Sequence, residues 1–251
     1  VVFSWWRRWH RNKYREQPLT QAELAILSSQ VPVFHKLQPA LKNRLIQTTQ
    51  VLRNEQQFEG CKGLEINDEI KLSICGNIAL MLLGVEDYYF EGVTSILVFP
   101  NSFQRRHRSQ WLENEVTNAG EAWQYGPIIL SWADCQAGSP LRSHGRNVII
   151  HEFAHHLDSI DGEMGGSIQM PNSESERQWH QVAAAELKEL RDDVHAGRRT
   201  VLDAYGATNE AEFFAVLSEA FFEMPDQLQQ THQELYRLLT IYYQTDPLQW
   251  N

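Results

Sequence analysis

Cysteine is scarce in this chain, and its arrangement excludes more than its number. Cys61, Cys75 and Cys135 are odd in number and widely separated, which fits neither a disulfide framework nor a CxxC zinc site. Reduced thiols in a cytosolic protein are the simplest reading. Long apolar runs are also missing. The most apolar segment, Leu72 to Val85, is too short to span a bilayer and is interrupted by Gly76 and Asn77, so a buried core helix explains it better. The N-terminus lacks an apolar stretch followed by a small-residue cleavage site, and so reads poorly as a secretory signal. Positive charge is in deficit as well. A net charge of −10 argues against a general nucleic-acid binder, because neutralising phosphates needs a basic surface.

With 251 residues, the chain is long enough to bury a full core without a disulfide or metal to staple it. No Gly/Ser/Pro-rich linker, internal repeat or low-complexity segment interrupts it, and residues 17–251 read as one domain. Residues 1–16 differ. They carry Arg7, Arg8, Arg11, Lys13 and Arg15 against Glu16 alone, leaving −14 for the rest of the chain. This basic, tryptophan-rich arm suits an anionic membrane surface, although a loosely held terminus is the commoner fate of such a segment.

Thr20 with Glu23 makes a capping-box pattern ahead of a short helix, and residues 39–56 read as another. Asn67 caps a third helix running to Gly84, whose apolar residues surround the axis and require burial. Val93–Phe99 and Pro127–Trp132 have strand character and supply a small sheet. From Asn147 onward the periodicity is helical, with segments over 147–158, 175–195 (ended by Gly197), 209–223 and 227–243. Helices before and after a small central sheet make the fold α+β.

The chemistry is concentrated in His151-Glu152-Phe153-Ala154-His155, an HExxH motif. Residues i and i+4 share a helix face, so His151 and His155 can reach one tetrahedral zinc from a single rigid element. Glu152 projects near the open coordination position, where a carboxylate can take the proton of an attacking water. The preceding run Val148-Ile149-Ile150 puts the motif on a largely buried helix, where two histidines and a glutamate with no metal would be costly. His156 points away from His155 and reads as a supporting or surface group. Asp158 and Asp161 are both able to orient a ligand imidazole.

A catalytic zinc takes a third protein ligand. The GxxH extension that would make it a histidine is missing, so a downstream carboxylate between Tyr205 and Glu219 is expected. Asn209-x-x-Glu212 also fits a capping box, leaving Glu212 evenly balanced between ligand and cap. Glu219, two turns on along the same face, competes as ligand, while Glu210 falls on another face.

HEFAHHLD together with YGATNEAEFFAVLSE and EAWQYGPIILSW resembles the Mlc titration factor A family of bacterial zinc peptidases. The first two blocks look like the catalytic domain of anthrax lethal factor. The resemblance implies a zincin-like fold in which His151, His155 and Glu212 are the zinc ligands, Glu152 is the general base and Tyr205 is a transition-state donor. It further implies a cytosolic protein with aminopeptidase-like activity on short peptides that binds the glucose-responsive repressor Mlc. An extended peptide substrate could pair with strand 127–132, which reads equally as a plain core strand. The alternative is a non-catalytic protein that sequesters the repressor and keeps a structural or vestigial zinc site. A purely structural site, however, usually closes its fourth position with Cys or His, and no Cys lies near either block.

Overall fold

The computed structural model describes residues 2–101, 126–136, 145–159, 166 and 168–250, with side chains from Trp6 onward. Asp161 and the start of the EAWQYGPIILSW block, residues 121–125, lie outside them.

Helices dominate. The arm forms α1 (Val2–Arg15), and it is held on the body rather than loosely. The Arg11 guanidinium is buried between Glu55 at 2.7 Å and Glu91 at 2.8 Å and lies over the Tyr89 ring at 4.3 Å. Arg15 reaches Asp87 at 3.2 Å and the Tyr89 hydroxyl. Removing one partner of a buried ion pair strands the other charges. Arg11→Ala is therefore expected to lower unfolding free energy by roughly 2–4 kcal/mol, as measured by denaturant titration. A change below about 0.5 kcal/mol would mean that α1 is not held by these contacts.

α2 (Gln21–Gln30) opens on the expected capping box, in which Thr20 Oγ1 accepts from Glu23 N at 3.2 Å and Glu23 Oε2 accepts from Thr20 N at 2.8 Å. α3 (Pro39–Glu55) starts on Pro39, whose missing N–H costs nothing in the first turn. α4 (Asp68–Met81) is capped by Asn67 and buried around nearly its whole circumference, ending one turn before Gly84. It runs close to α2, because a Cβ at Gly76 would sit 2.4 Å from Leu27 Cδ1.

The sheet is parallel throughout, in the order β1 (Phe58–Gly60), β2 (Ile96–Phe99), β3 (Ile128–Ser131). Phe58 pairs with Ile96 and Ile96 with Ile128. β1 escaped the sequence reading because three residues ending in glycine are too few to show a period of two. Trp132, taken as the end of a strand, instead begins the short helix α5 (Trp132–Cys135), with Ser131 as its cap.

α6 (Val148–Asp158) packs Ile149, Ile150, Phe153 and Ala154 into the core and contacts α4, β3 and α8 (Glu210–Glu223). α7 (Ser173–His195) ends at Gly197, whose φ of 68° suits a residue without Cβ. The last helical segment is two helices, α9 (Pro225–Thr231) and α10 (Gln233–Tyr243). His232 breaks the run at φ −134° and ψ 56°, pinned through Nδ1 to Glu186 at 2.7 Å. The whole is a mostly helical α+β fold with a small sheet, as the sequence implied. Among the described residues, no helix is long and apolar enough to cross a membrane.

Candidate metal centre

Asn147 starts α6, and the apolar turn that follows sinks His151 and Glu152 to 4% exposure each, leaving His155 nearer the surface. Helical spacing then stacks the two imidazoles edge to face, with centroids 4.8 Å apart and planes at 82°. Their Nε2 atoms are 3.2 Å apart. Glu212, in the first turn of α8, completes the triangle: Oε2 lies 3.1 Å from His151 Nε2 and 3.4 Å from His155 Nε2.

Those three separations permit a fit test. Zinc holds nitrogen and oxygen donors at about 2.0–2.1 Å, so two ligands at a tetrahedral angle lie about 3.3 Å apart. The observed edges of 3.1, 3.2 and 3.4 Å bracket that value. His151, His155 and Glu212 are also the group able to hold a metal ion among the described residues. The donor chemistry agrees, since imidazole nitrogen and carboxylate oxygen are both zinc ligands.

Of the capping box expected at Asn209-x-x-Glu212 only one half forms, because the Glu212 carboxylate is turned to the imidazoles. Its backbone N–H is capped by Asn209 Oδ1 at 2.8 Å, while its carboxylate faces the imidazoles. The remaining oxygen, Oε1, accepts from the Tyr205 hydroxyl at 2.8 Å. Tyr205 comes from a 3-10 turn (Ala204–Ala207) in which Asp203 Oδ1 accepts from the Tyr205 backbone N–H at 2.8 Å.

Glu219 occupies a different place. Its Oε1 is 2.7 Å from His151 Nδ1, on the ring edge turned away from the triangle, and its Oε2 accepts from Asn147 N at 2.6 Å. Asn147 Nδ2 in turn donates to Asn77 Oδ1 at 2.9 Å and to Glu223 Oε1 at 2.6 Å. This buried network ties α4, α6 and α8 together behind the site. Asp158 Oδ2 accepts from the Gly166 N–H at 3.0 Å. His156 is not a surface group: it is buried against the Phe90 ring at 5.7 Å, and burial pushes its pKa down to about 4. Glu210 is exposed and outside the cluster.

The electrostatics suit a cation. Burial alone would lower the His151 pKa, but Glu219 and Glu212 outweigh it and raise the imidazole above its usual value. Burial disfavours the Glu212 carboxylate too, yet its bonds to His151 and His155 hold it well below the usual carboxylate range. The buried Glu219 and the half-buried Glu212 around two imidazoles leave negative charge that a divalent ion would neutralise. A cavity of about 290 Å³ adjoins it, lined in part by Arg146, Leu202, Asp203, Glu219 and Met224. An Arg146–Asp203 ion pair of 2.5 Å stands at that cavity.

The pattern of the glucose-regulated metallo-peptidase M90 family matches residues 4–244. The chain belongs to this family. Among similar proteins, an uncharacterized protein of Synechocystis sp. is 33% identical over 99% of this chain and 94% of its own length. Mlc titration factor A of Klebsiella pneumoniae is 28% identical over 99% and 94%, and that of Escherichia fergusonii 30% over 87% and 84%. An M90 metallo-peptidase requires a metal, and the triangle described above is where this chain gathers donors for one. The M90 match takes in most of α1, which the motif-based resemblance left out.

Sequence reasoning missed the second half of this site. Asn147 was visible only as the start of a helical segment, and nothing in the periodicity separates a carboxylate facing Nε2 from one facing Nδ1. Glu219 was legible as a residue on the ligand face, but depth between packed helices decides which edge of the imidazole it meets. Arg146 and Asp203 carry no local signal, because their pairing joins segments far apart in sequence.

Proposed function

We propose that this chain is a zinc-dependent peptidase, aminopeptidase-like in preference, in which His151, His155 and Glu212 hold the metal. The observation that carries the reading is the near-equilateral triangle of His151 Nε2, His155 Nε2 and Glu212 Oε2. Zinc so held supplies Lewis acidity, polarising a carbonyl and lowering the pKa of water toward neutrality. Glu152 takes the proton from the attacking water and passes it to the departing amine. Glu219 fixes the tautomer of His151, so that Nδ1 carries the proton and Nε2 offers its lone pair to the metal. β3, the outer strand of the sheet among the described residues, offers a main-chain edge to an extended peptide.

Tyr205 donates to the oxyanion that develops at the scissile carbonyl. Its hydroxyl already points at Glu212, and a small rotation redirects that proton. Such a bond is stronger in the transition state than in the ground state, so its loss appears in kcat more than in KM. Tyr205→Phe is expected to lower turnover of a short peptide by roughly ten- to a thousandfold with unchanged metal content. Turnover within about twofold of the parent would reduce Tyr205 to a packed aromatic.

The relatives' name, Mlc titration factor A, supports a second property of the same cytoplasmic protein, binding of the repressor Mlc. The experiment that tests the reading compares turnover of peptides with free and acetylated N-termini, alongside capture of Mlc by a hydrolytically dead variant. Faster cleavage of the free peptides supports aminopeptidase action. Mlc capture with no cleavage of any peptide would replace the enzyme by a repressor-sequestering protein.

A further inference from the structure

α1 turns two different faces to its surroundings. The inward face is consumed by Arg11 and Arg15, which dock it on Glu55, Glu91, Asp87 and Tyr89. The outward face carries Trp6 and Trp9, which are 58% and 52% exposed. They are the two most exposed large hydrophobic side chains among the described residues, and they sit one turn apart with His10 packed edge-on against both rings. Leaving two indoles in water is costly. Cations flank them: Arg7 and Lys13 are exposed, and Arg8 is 72% exposed with only a 3.9 Å contact to Asp87.

We propose that this face of α1 is a docking surface for an anionic lipid bilayer. Indole rings favour the depth of the headgroups, and arginine and lysine beside them favour anionic headgroups. A helix lying on the body with its aromatic pair outward meets a flat surface side-on, which needs no groove in the protein. Charge complementarity fixes both partner and orientation. The exposed Arg7, Arg8 and Lys13 beside the indoles are attracted to the bilayer, while the rest of the chain, net acidic, is repelled by it. The chain therefore lands on α1 with its acidic body facing away. One short amphipathic helix gives reversible attachment, not permanent anchoring.

The test uses the full chain and vesicles of phosphatidylcholine alone or with about a third phosphatidylglycerol, a proportion chosen to give a strongly negative surface. Flotation should recover the protein with the anionic vesicles and not the neutral ones. Binding should fall by about tenfold or more on raising salt from 0.05 to about 0.5 M, because the attraction is screened. A Trp6→Ser/Trp9→Ser variant should lose at least about tenfold in partitioning while keeping its far-ultraviolet circular dichroism and peptide turnover. Equal recovery with both vesicle types, or a variant that floats like the parent, would overturn the proposal. So would absence of flotation together with self-association of the parent that the variant abolishes, since the face would then join copies of the chain.

Discussion

Glu152→Gln is expected to retain its zinc and to lose most of its peptide turnover, by about 10²–10⁴-fold, the usual contribution of a positioned general base. The amide is nearly isosteric with the carboxylate and sits at the same buried helical position, so neither the fold nor the metal triangle has reason to change. What it cannot do is accept a proton from water. The loss should fall on kcat, because proton transfer belongs to the chemical step. Steady-state kinetics with metal content measured on the same sample decides the matter. Turnover close to the parent value would remove Glu152 from the mechanism, and loss of zinc would make it part of the metal shell.

The second large effect belongs to Glu212. Glu212→Ala deletes one corner of the triangle and the acceptor of the Tyr205 hydroxyl together. Zinc affinity should drop by more than about a hundredfold, beyond the ten- to hundredfold typical of losing a residue that only orients a ligand. Glu219→Gln supplies that comparison: it should stay within the smaller range, because the amide oxygen can still accept from His151 Nδ1. Competition with a metal-sensitive dye measures both. A Glu212→Ala protein that binds zinc as tightly as the parent would remove Glu212 from the metal shell. The Asn209 bond would remain in that case, since it is made to the Glu212 backbone.

The unequal legibility of this molecule in its sequence follows from range. His151 and His155 could be placed together because four residues on one helix fix their relation without any tertiary information. The capping of α2 by Thr20 and of α4 by Asn67 was readable for the same reason. Glu212 was half-readable: its cap is local, whereas its approach to His151 depends on how α8 crosses α6. Glu219 shows the limit most clearly. Its position on the helix face was evident, yet only the packing of α8 against the start of α6 brings it to Nδ1 and to Asn147 N. β1 was lost because pairing with Ile96–Val98 defines it more than its own three residues do. The break at His232 and the docking of α1 through Arg11 likewise rest on partners, Glu186, Glu55 and Glu91, that lie far off in sequence.

The central claim is that the triangle of His151, His155 and Glu212 holds a zinc ion on which hydrolysis depends. Its most direct test is a titration: the protein is stripped with a chelator, and zinc is then added back while bound metal and peptide turnover are followed together. Turnover should vanish on stripping and return in proportion to bound zinc, reaching its plateau at about one ion per chain, as expected for three protein ligands and one open position. Full turnover by the stripped protein, or saturation with zinc that restores none of it, would contradict the account.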